Sequence, residues 1–235
     1  MIFASICSVL GAGLAMGLGS IGSAIGEGMI AMNAVDSLGR QPKASGKIVR
    51  VMIISQAVTE TASIFALVIS LLLVFQGNVD SVFKGITFIA AGLTIGFGTI
   101  GAGLGAGLPG SAAMSGIGKQ PKNSDSLTVH MIIGQAVTQT STIFALTVSL
   151  ILIMLPAREG LLNMAACLGA GLAMGFGAIG PGIGDGLVAR FANLGVARDP
   201  KNMGLLTRTM IIGQAITETT DIYALVVSLI LIFAQ

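Results

Sequence analysis

One segment occurs three times in this chain at a fixed spacing. "SQAVTETASIFAL" begins at Ser55, "GQAVTQTSTIFAL" at Gly134 and "GQAITETTDIYAL" at Gly213. Pro42, Pro121 and Pro200 keep the same 79-residue interval, inside "GRQPK", "GKQPK" and "ARDPK". A repeat of this kind means one supersecondary unit used three times, with the core buried between neighbours. Each unit reads as a Gly-rich apolar helix, a short polar loop carrying the proline, and a second apolar helix. The expected fold is all-α, as three tandem helical hairpins at 1–78, 79–157 and 158–235.

Where those helices lie follows from composition. The chain is 54% apolar and 9% charged, against about a quarter charged in soluble domains. Apolar stretches at 9–34, 51–75, 86–108, 127–155, 164–192 and 209–233 can each cross a hydrocarbon core of about 30 Å. Six transmembrane helices are expected. The apolar start leads directly into the first repeat and reads as retained rather than as a cleaved signal. Cys7 and Cys167 occupy similar places in helices one and five and read as packing residues.

Ten of the twelve Lys and Arg residues lie in or beside the proline loops; Lys84 and Arg158 lie in the opposite connections. Positive charge stays on the cytoplasmic side. The proline loops are therefore expected in the cytoplasm and both termini on the other side.

The first helix of each hairpin contains G-x-G-x-x-G, at Gly17-Gly19-Gly22, Gly96-Gly98-Gly101 and Gly175-Gly177-Gly180. A dinucleotide site needs that pattern between a strand and a helix. Inside a membrane helix, glycines instead allow backbones to approach closely. The Gly-rich helices are expected as an inner layer and the Leu, Ile, Val and Phe-rich helices as an outer one. Pro109 and Pro181 are expected to bend the inner helices.

Glu60 and Glu218 lie about ten residues inside their helices, and an acid at a helix centre costs about 2.5–3.5 kcal/mol or more to insert. Glu27 lies 15 residues before Pro42 and Glu60 18 after it; Asp185 and Glu218 bear the same relation to Pro200. Each pair is thus expected at one depth in one pocket. In hairpin 2 both acids are gone together, replaced by Ala106 and Gln139. Two carboxylates in a dry pocket cannot both stay charged without a cation. Their oxygens suit a hard one. Thr61 and Thr219 lie beside the acids, and Thr220 and Tyr223 add hydroxyls near Glu218. Asp221 joins a polar network or faces water. His130, near the cytoplasmic end of helix four with no second ligand visible, reads as structural, and the methionines as packing.

The Gly-rich first helix, the R-Q-P type loop and the carboxylate in "QAVTETASIFALVISLLL" resemble the c subunit, or proteolipid, of rotary ATPases, in its F-type form. The likeness covers the whole chain, three times over. It implies a ring of hairpins in a prokaryotic cell membrane, embedded in lipid, that turns against a stator a subunit. Central-stalk subunits would contact the polar loops, and Glu60 and Glu218 would carry Na⁺ or H⁺. The Na⁺-binding branch adds an acid or Gln in the first helix, a carbonyl two residues before the Glu, a Ser or Thr after it and a Tyr five on. Hairpin 3 matches with Asp185, Ile216, Glu218, Thr219, Thr220 and Tyr223. Hairpin 1 offers Glu27, Val58, Glu60 and Thr61, with Ala62 and Phe65 in place of Thr220 and Tyr223. In the family such sites form between neighbouring hairpins, so ligands from two repeats can combine. A ring of this chain alone, rather than one mixed with single-hairpin subunits, carries two ions for every three hairpins. The competing reading is a stand-alone channel or secondary transporter with internal repeats. It needs a polar pore, which the Gly-rich helices do not offer. No organic cofactor and no nucleic acid is expected.

Overall fold

A computed structural model describes residues 2–76, 81–158 and 160–234, without the side chain of Ile2. The hairpin boundary expected at 78–79 lies outside the described residues. Every regular element among them is helical. In chain order they are α1 (Ile2–Arg40), α2 (Ser45–Val74), α3 (Val82–Lys119), α4 (Ser124–Thr138), α5 (Thr140–Met154), α6 (Leu161–Gly177), α7 (Ile179–Arg198) and α8 (Met203–Phe233). The pairs α4/α5 and α6/α7 are single rods with one interruption each, so six helices are long and apolar enough to cross a membrane. At 39 residues, α1 spans about 58 Å. It therefore extends well beyond the hydrocarbon core.

The ends of the rods follow from local chemistry. Each proline loop closes as a single 3-10 turn, at Pro42–Ala44, Pro121–Asn123 and Pro200–Asn202. Proline at the first position loses nothing there, because that N–H has no helical acceptor. On the opposite side, Lys84 Nζ donates to Ile153 O at 2.8 Å and an Arg158 guanidinium nitrogen to Ile232 O at 2.9 Å. These two cations thus cap the carbonyl ends of α5 and α8. Pro109 sits inside an unbroken α3. The expected bend at Pro181 is instead the break at Ala178. Proline 181 cannot donate to the carbonyl four residues before it, that of Gly177.

The two expected layers are present. In the first, α3 packs between α1 on one side and α6 and α7 on the other. In the second, α2 lies against α1 and α3, α4 and α5 against α3 and α7, and α8 against α6 and α7. Glycine sets the spacing of the first layer. A Cβ placed on Gly26 would meet Gly103 O at 2.3 Å, and one on Gly105 would meet Gly182 O at 1.9 Å. No side chain fits between those backbones, which is the close approach that small residues permit in lipid. Within each hairpin one serine repeats the same tie: Ser70 to Ala12 O, Ser149 to Ala91 O and Ser228 to Ala170 O, at 2.9–3.0 Å.

The repeat also fixes the edges. Gly92, Gly96 and Gly107 of α3 press on α1, while their counterparts in α1, Gly13, Gly17 and Gly28, have nothing within 4 Å. At the far end Gly180 is likewise open, although its counterpart Gly101 would meet Ile179 O at 2.4 Å. The two free edges are the two halves of the contact already made twice inside the chain.

Candidate functional site

A glutamine that the motif reading passed over organises all three hairpins at the depth of the acids. Gln56 Nε2 donates to Glu27 O at 3.4 Å, Gln135 Nε2 to Ala106 O at 2.9 Å and Gln214 Nε2 to Asp185 O at 3.2 Å. Each ties the second helix to the first beside the acid position. Gln135 and Gln214 also reach the preceding hairpin, at Ser55 O (3.1 Å) and Gly134 O (3.1 Å). The signal was in the sequence: a polar side chain in mid-membrane, at the same place in three copies.

The acids meet as the depth argument expects. Glu27 lies within electrostatic reach of Glu60, and Asp185 within reach of Glu218 and Asp221. Asp185 and Asp221 are fully buried, and no carboxylate oxygen of either has a hydrogen-bond partner. Ser141 of α5 faces Asp221 without closing a hydrogen bond of ordinary length. Asp221 therefore belongs to the buried network and does not face water. Among the described residues no three of His, Cys, Asp and Glu gather closely enough to hold a metal ion. A cation here needs neutral oxygens besides the two acids.

Those oxygens come from the neighbouring hairpin. The Thr140 hydroxyl reaches both Glu218 Oε1 and Val137 O. The constellation at the seam between hairpins 2 and 3 is thus Glu218, Asp185, Thr140 and the Val137 carbonyl. Thr140 was missed because hairpin 2, lacking its acids, offered no site of its own to read.

The ligand positions read within single hairpins are distributed across seams. The Val58 carbonyl faces hairpin 2. Val58 O accepts from Gln139 Nε2 at 3.3 Å, and Thr61 turns its hydroxyl to Ala57 O. Ile216, Thr219, Thr220 and Tyr223 are not gathered around Glu218. They lie on the exposed side of α8, Tyr223 at 65% exposure. Thr219 bonds to Ile216 O and Thr220 to Thr217 O. By the repeat, this side of α8 corresponds to the Val137 and Thr140 side of hairpin 2. Glu60 is exposed and Glu27 half-buried on the opposite edge of the chain.

At the seam between hairpins 1 and 2, the Gln139 amide takes the carbonyl whose counterpart stands beside Glu218. The rod is interrupted at this residue, between α4 and α5. The continuous helices α2 and α8 pass through Glu60 and Glu218 unbroken. His130, fully buried in α4, faces Asn193 of α7, and both its ring nitrogens lack a hydrogen-bond partner of ordinary length.

Comparison with known proteins places this architecture. The family model for the C subunit of ATP synthase matches three times, at residues 10–73, 89–152 and 168–231. The ATP synthase c subunit of Petrotoga mobilis is 50% identical over 74 residues, 32% of this chain and 77% of that protein. That of Alkaliphilus oremlandii is 51% identical over 75 residues, 32% of this chain and 84% of its own. The K subunit of the A-type ATP synthase of Methanocaldococcus jannaschii is 29% identical over 236 residues, 98% of each chain. The short relatives match about a third of this chain, and the long one matches nearly all of it. With a threefold family match, and an acid at the matching place of the second helix in two of the three matched hairpins, the chain belongs to the ATP synthase c-subunit family, the proteolipids of rotary ATPases.

Proposed function

We propose that this proteolipid binds and transports Na⁺, or alternatively H⁺, on Glu60 and Glu218. Its ring couples that transport to ATP hydrolysis or synthesis. The observation that carries the reading is Glu218 at a seam, with Asp185 from its own hairpin and Thr140 from the hairpin before it. Two carboxylates, a hydroxyl and a carbonyl form a hard-oxygen set suited to a small hard cation. Bound Na⁺ supplies the charge that the two acids need in a dry pocket; with H⁺, protons do the same.

The second site follows from the edges. Glu60 and Glu27 occupy one edge, and Ile216 O, Thr219, Thr220 and Tyr223 the other. The unmet glycines of α1 and Gly180 of α7 support a head-to-tail contact between copies. Such a heterologous contact closes into a ring when the rotation per copy allows it. That contact brings Tyr223 and Thr219 of one copy to Glu60 of the next. A ring built only of this chain then bears two acids per three hairpins, and Gln139 passes the stator uncharged. Fewer ions cross per turn, so each can be driven against a steeper potential, at about 2.3 kcal/mol per charge per 100 mV. This gearing favours an ATP-driven pump. The basic proline loops suit contact with a central stalk on the cytoplasmic side, and the apolar outer helices suit lipid.

Carbodiimide labelling of the purified ring, followed by peptide mass analysis across NaCl concentration and pH, tests the reading. Labelling of Glu60 and Glu218 with protection by Na⁺ is expected. Labelling at low pH that Na⁺ does not affect makes it a proton rotor. No labelling of either acid overturns the assignment.

A further inference from the structure

Hairpin 2 has no acid pair of its own, yet its two faces are built differently. Toward hairpin 1 it is hydrogen-bonded from the proline loops down to site depth. Near the proline loops Lys47 Nζ donates to Pro121 O at 3.2 Å and Ser37 Oγ to Met114 O at 2.9 Å. Deeper, Asn33 Nδ2 donates to Ser111 Oγ, and Ser115 Oγ donates to Asn33 Oδ1, both at 2.7 Å. At site depth Gln135 Nε2 lies 3.0 Å from Ser55 Oγ, 3.1 Å from Ser55 O and 3.2 Å from Thr59 Oγ1. Gln139 Nε2 completes the row on Val58 O.

Toward hairpin 3 the repeat puts Ala112, Arg190 and Leu194 where Asn33, Ser111 and Ser115 stand, and Gly116 and Gly134 where Ser37 and Ser55 stand. Ala112, Leu194 and the two glycines bring no side-chain donor or acceptor to that row. Among the described residues, the side-chain bonds of ordinary or shorter length across this seam are Gln214 to Gly134 O and Thr140 to Glu218, with Ser141 facing Asp221 and His130 facing Asn193. The first seam carries a continuous row of ordinary-length bonds from the loops to site depth; the second carries fewer.

We propose that Gln135 and Gln139 are positioning residues for the site at Glu218. They latch hairpin 2 to hairpin 1, so that ion exchange opens the seam to hairpin 3 alone against a fixed Thr140. The inference rests on Glu218 being an ion carrier. A site between hairpins has to loosen to load and release its ion. If hairpin 2 could shift on both faces, Thr140 would follow α8, and the oxygens offered to the ion would vary. Gln139 is adjacent to Thr140 and sits at the interruption of the rod. Its bond to Val58 O removes the freedom that the interruption adds. Gln135, one helical turn away, fixes the same segment to three acceptors on α2.

The test uses the assembled ATPase carrying Gln135→Leu with Gln139→Leu. The readout is the NaCl concentration that half-protects each glutamate from carbodiimide at fixed pH, or the pH of half-labelling if Na⁺ has no effect. Losing these bonds is expected to shift the Glu218 midpoint by about tenfold, the scale of a net hydrogen bond or two. Glu60 should keep its midpoint, because its neighbours come from hairpin 3 of the preceding copy. An unchanged Glu218 midpoint, or an equal shift at Glu60, overturns the inference. If neither glutamate labels in the unaltered chain, the ion assignment itself has failed and this inference falls with it.

Spin labels provide a measurement with the latch intact. Ile64, Ile143 and Ile222 are repeat equivalents and similarly exposed. In a background with Cys7 and Cys167 replaced by Ala, labels at 64 and 143 report the first seam, and labels at 143 and 222 the second. On Na⁺ removal, or on raising the pH for a proton rotor, only the second distance should broaden. Equal broadening of both, or of neither, overturns the latch.

Discussion

The seam between hairpins 1 and 2 and the seam between hairpins 2 and 3 share one backbone plan but opposite chemistry. At the same depth the first has Ala106 and Gln139, and the second has Asp185 and Glu218. Buried acids cost about 2.5–3.5 kcal/mol or more each at this depth. The first seam avoids that cost, and the Gln139 amide bonds to Val58 O where an acid would need a cation. The second seam keeps the cost and leaves Asp185 and Asp221 unpaired in the interior. The polar position is therefore retained in every hairpin, and the charge only in hairpins 1 and 3.

The strongest way to break this contrast is to make the second seam like the first. Glu218→Gln together with Asp185→Ala should reduce ATP-driven ion transport in reconstituted vesicles to background. Glu60 should still react with carbodiimide. Transport that survives would mean that Glu60 alone drives the rotor. The reverse conversion is more demanding. Gln139→Glu alone places a carboxylate against Val58 O with no acid partner. It should give a third labelled residue that Na⁺ does not protect. Adding Ala106→Asp should bring protection. Full transport or protection in the single variant would sink the paired-acid requirement.

Packing separates contacts inside the chain from contacts between copies. A Cβ on Gly92 would meet Gly11 O at 2.2 Å, whereas one on its counterpart Gly13 meets nothing within 4 Å. Gly92→Ala should destabilise the isolated chain in detergent by about 1–3 kcal/mol, the usual scale of overpacking. Gly13→Ala should leave the isolated chain unchanged and weaken the ring, read as smaller assemblies by native mass spectrometry. A Gly13→Ala ring as robust as the parent would break the head-to-tail arrangement.

The hairpins, the two layers and the depth of the acids could be read from sequence because each depends on spacing within one repeat. The 79-residue interval, the proline loops and the glycine content are local signals. The allocation of ligands could not be read this way. Val58 is a neighbour of Glu60 in sequence but gives its carbonyl to Gln139 in space, and Glu218 takes Thr140 from the hairpin before it. A helix presents adjacent residues to different neighbours, so the chain order of a motif does not fix which seam each side chain enters. The Gln56, Gln135 and Gln214 ties were visible as a repeated polar position, but without structure their acceptors were not. The interruption at Gln139 has no proline or glycine beside it and left no sequence signal.

The finest test concerns one hydroxyl. Tyr223 is five residues from Glu218 and, within one hairpin, reads as its ligand. It lies instead on the exposed side of α8, the side that would meet hairpin 1 of a following copy in the proposed head-to-tail ring. Tyr223→Phe removes one hydrogen-bonding oxygen and little volume. In the assembled ring it should weaken protection of Glu60 about fivefold, the size of one net hydrogen bond, and leave Glu218 unchanged. The opposite pattern would return Tyr223 to its own hairpin's site and require α8 to turn in the assembled ring. Because both glutamates are read in the same digest, a general loss of ring integrity shows as a shift in both and is not mistaken for either result.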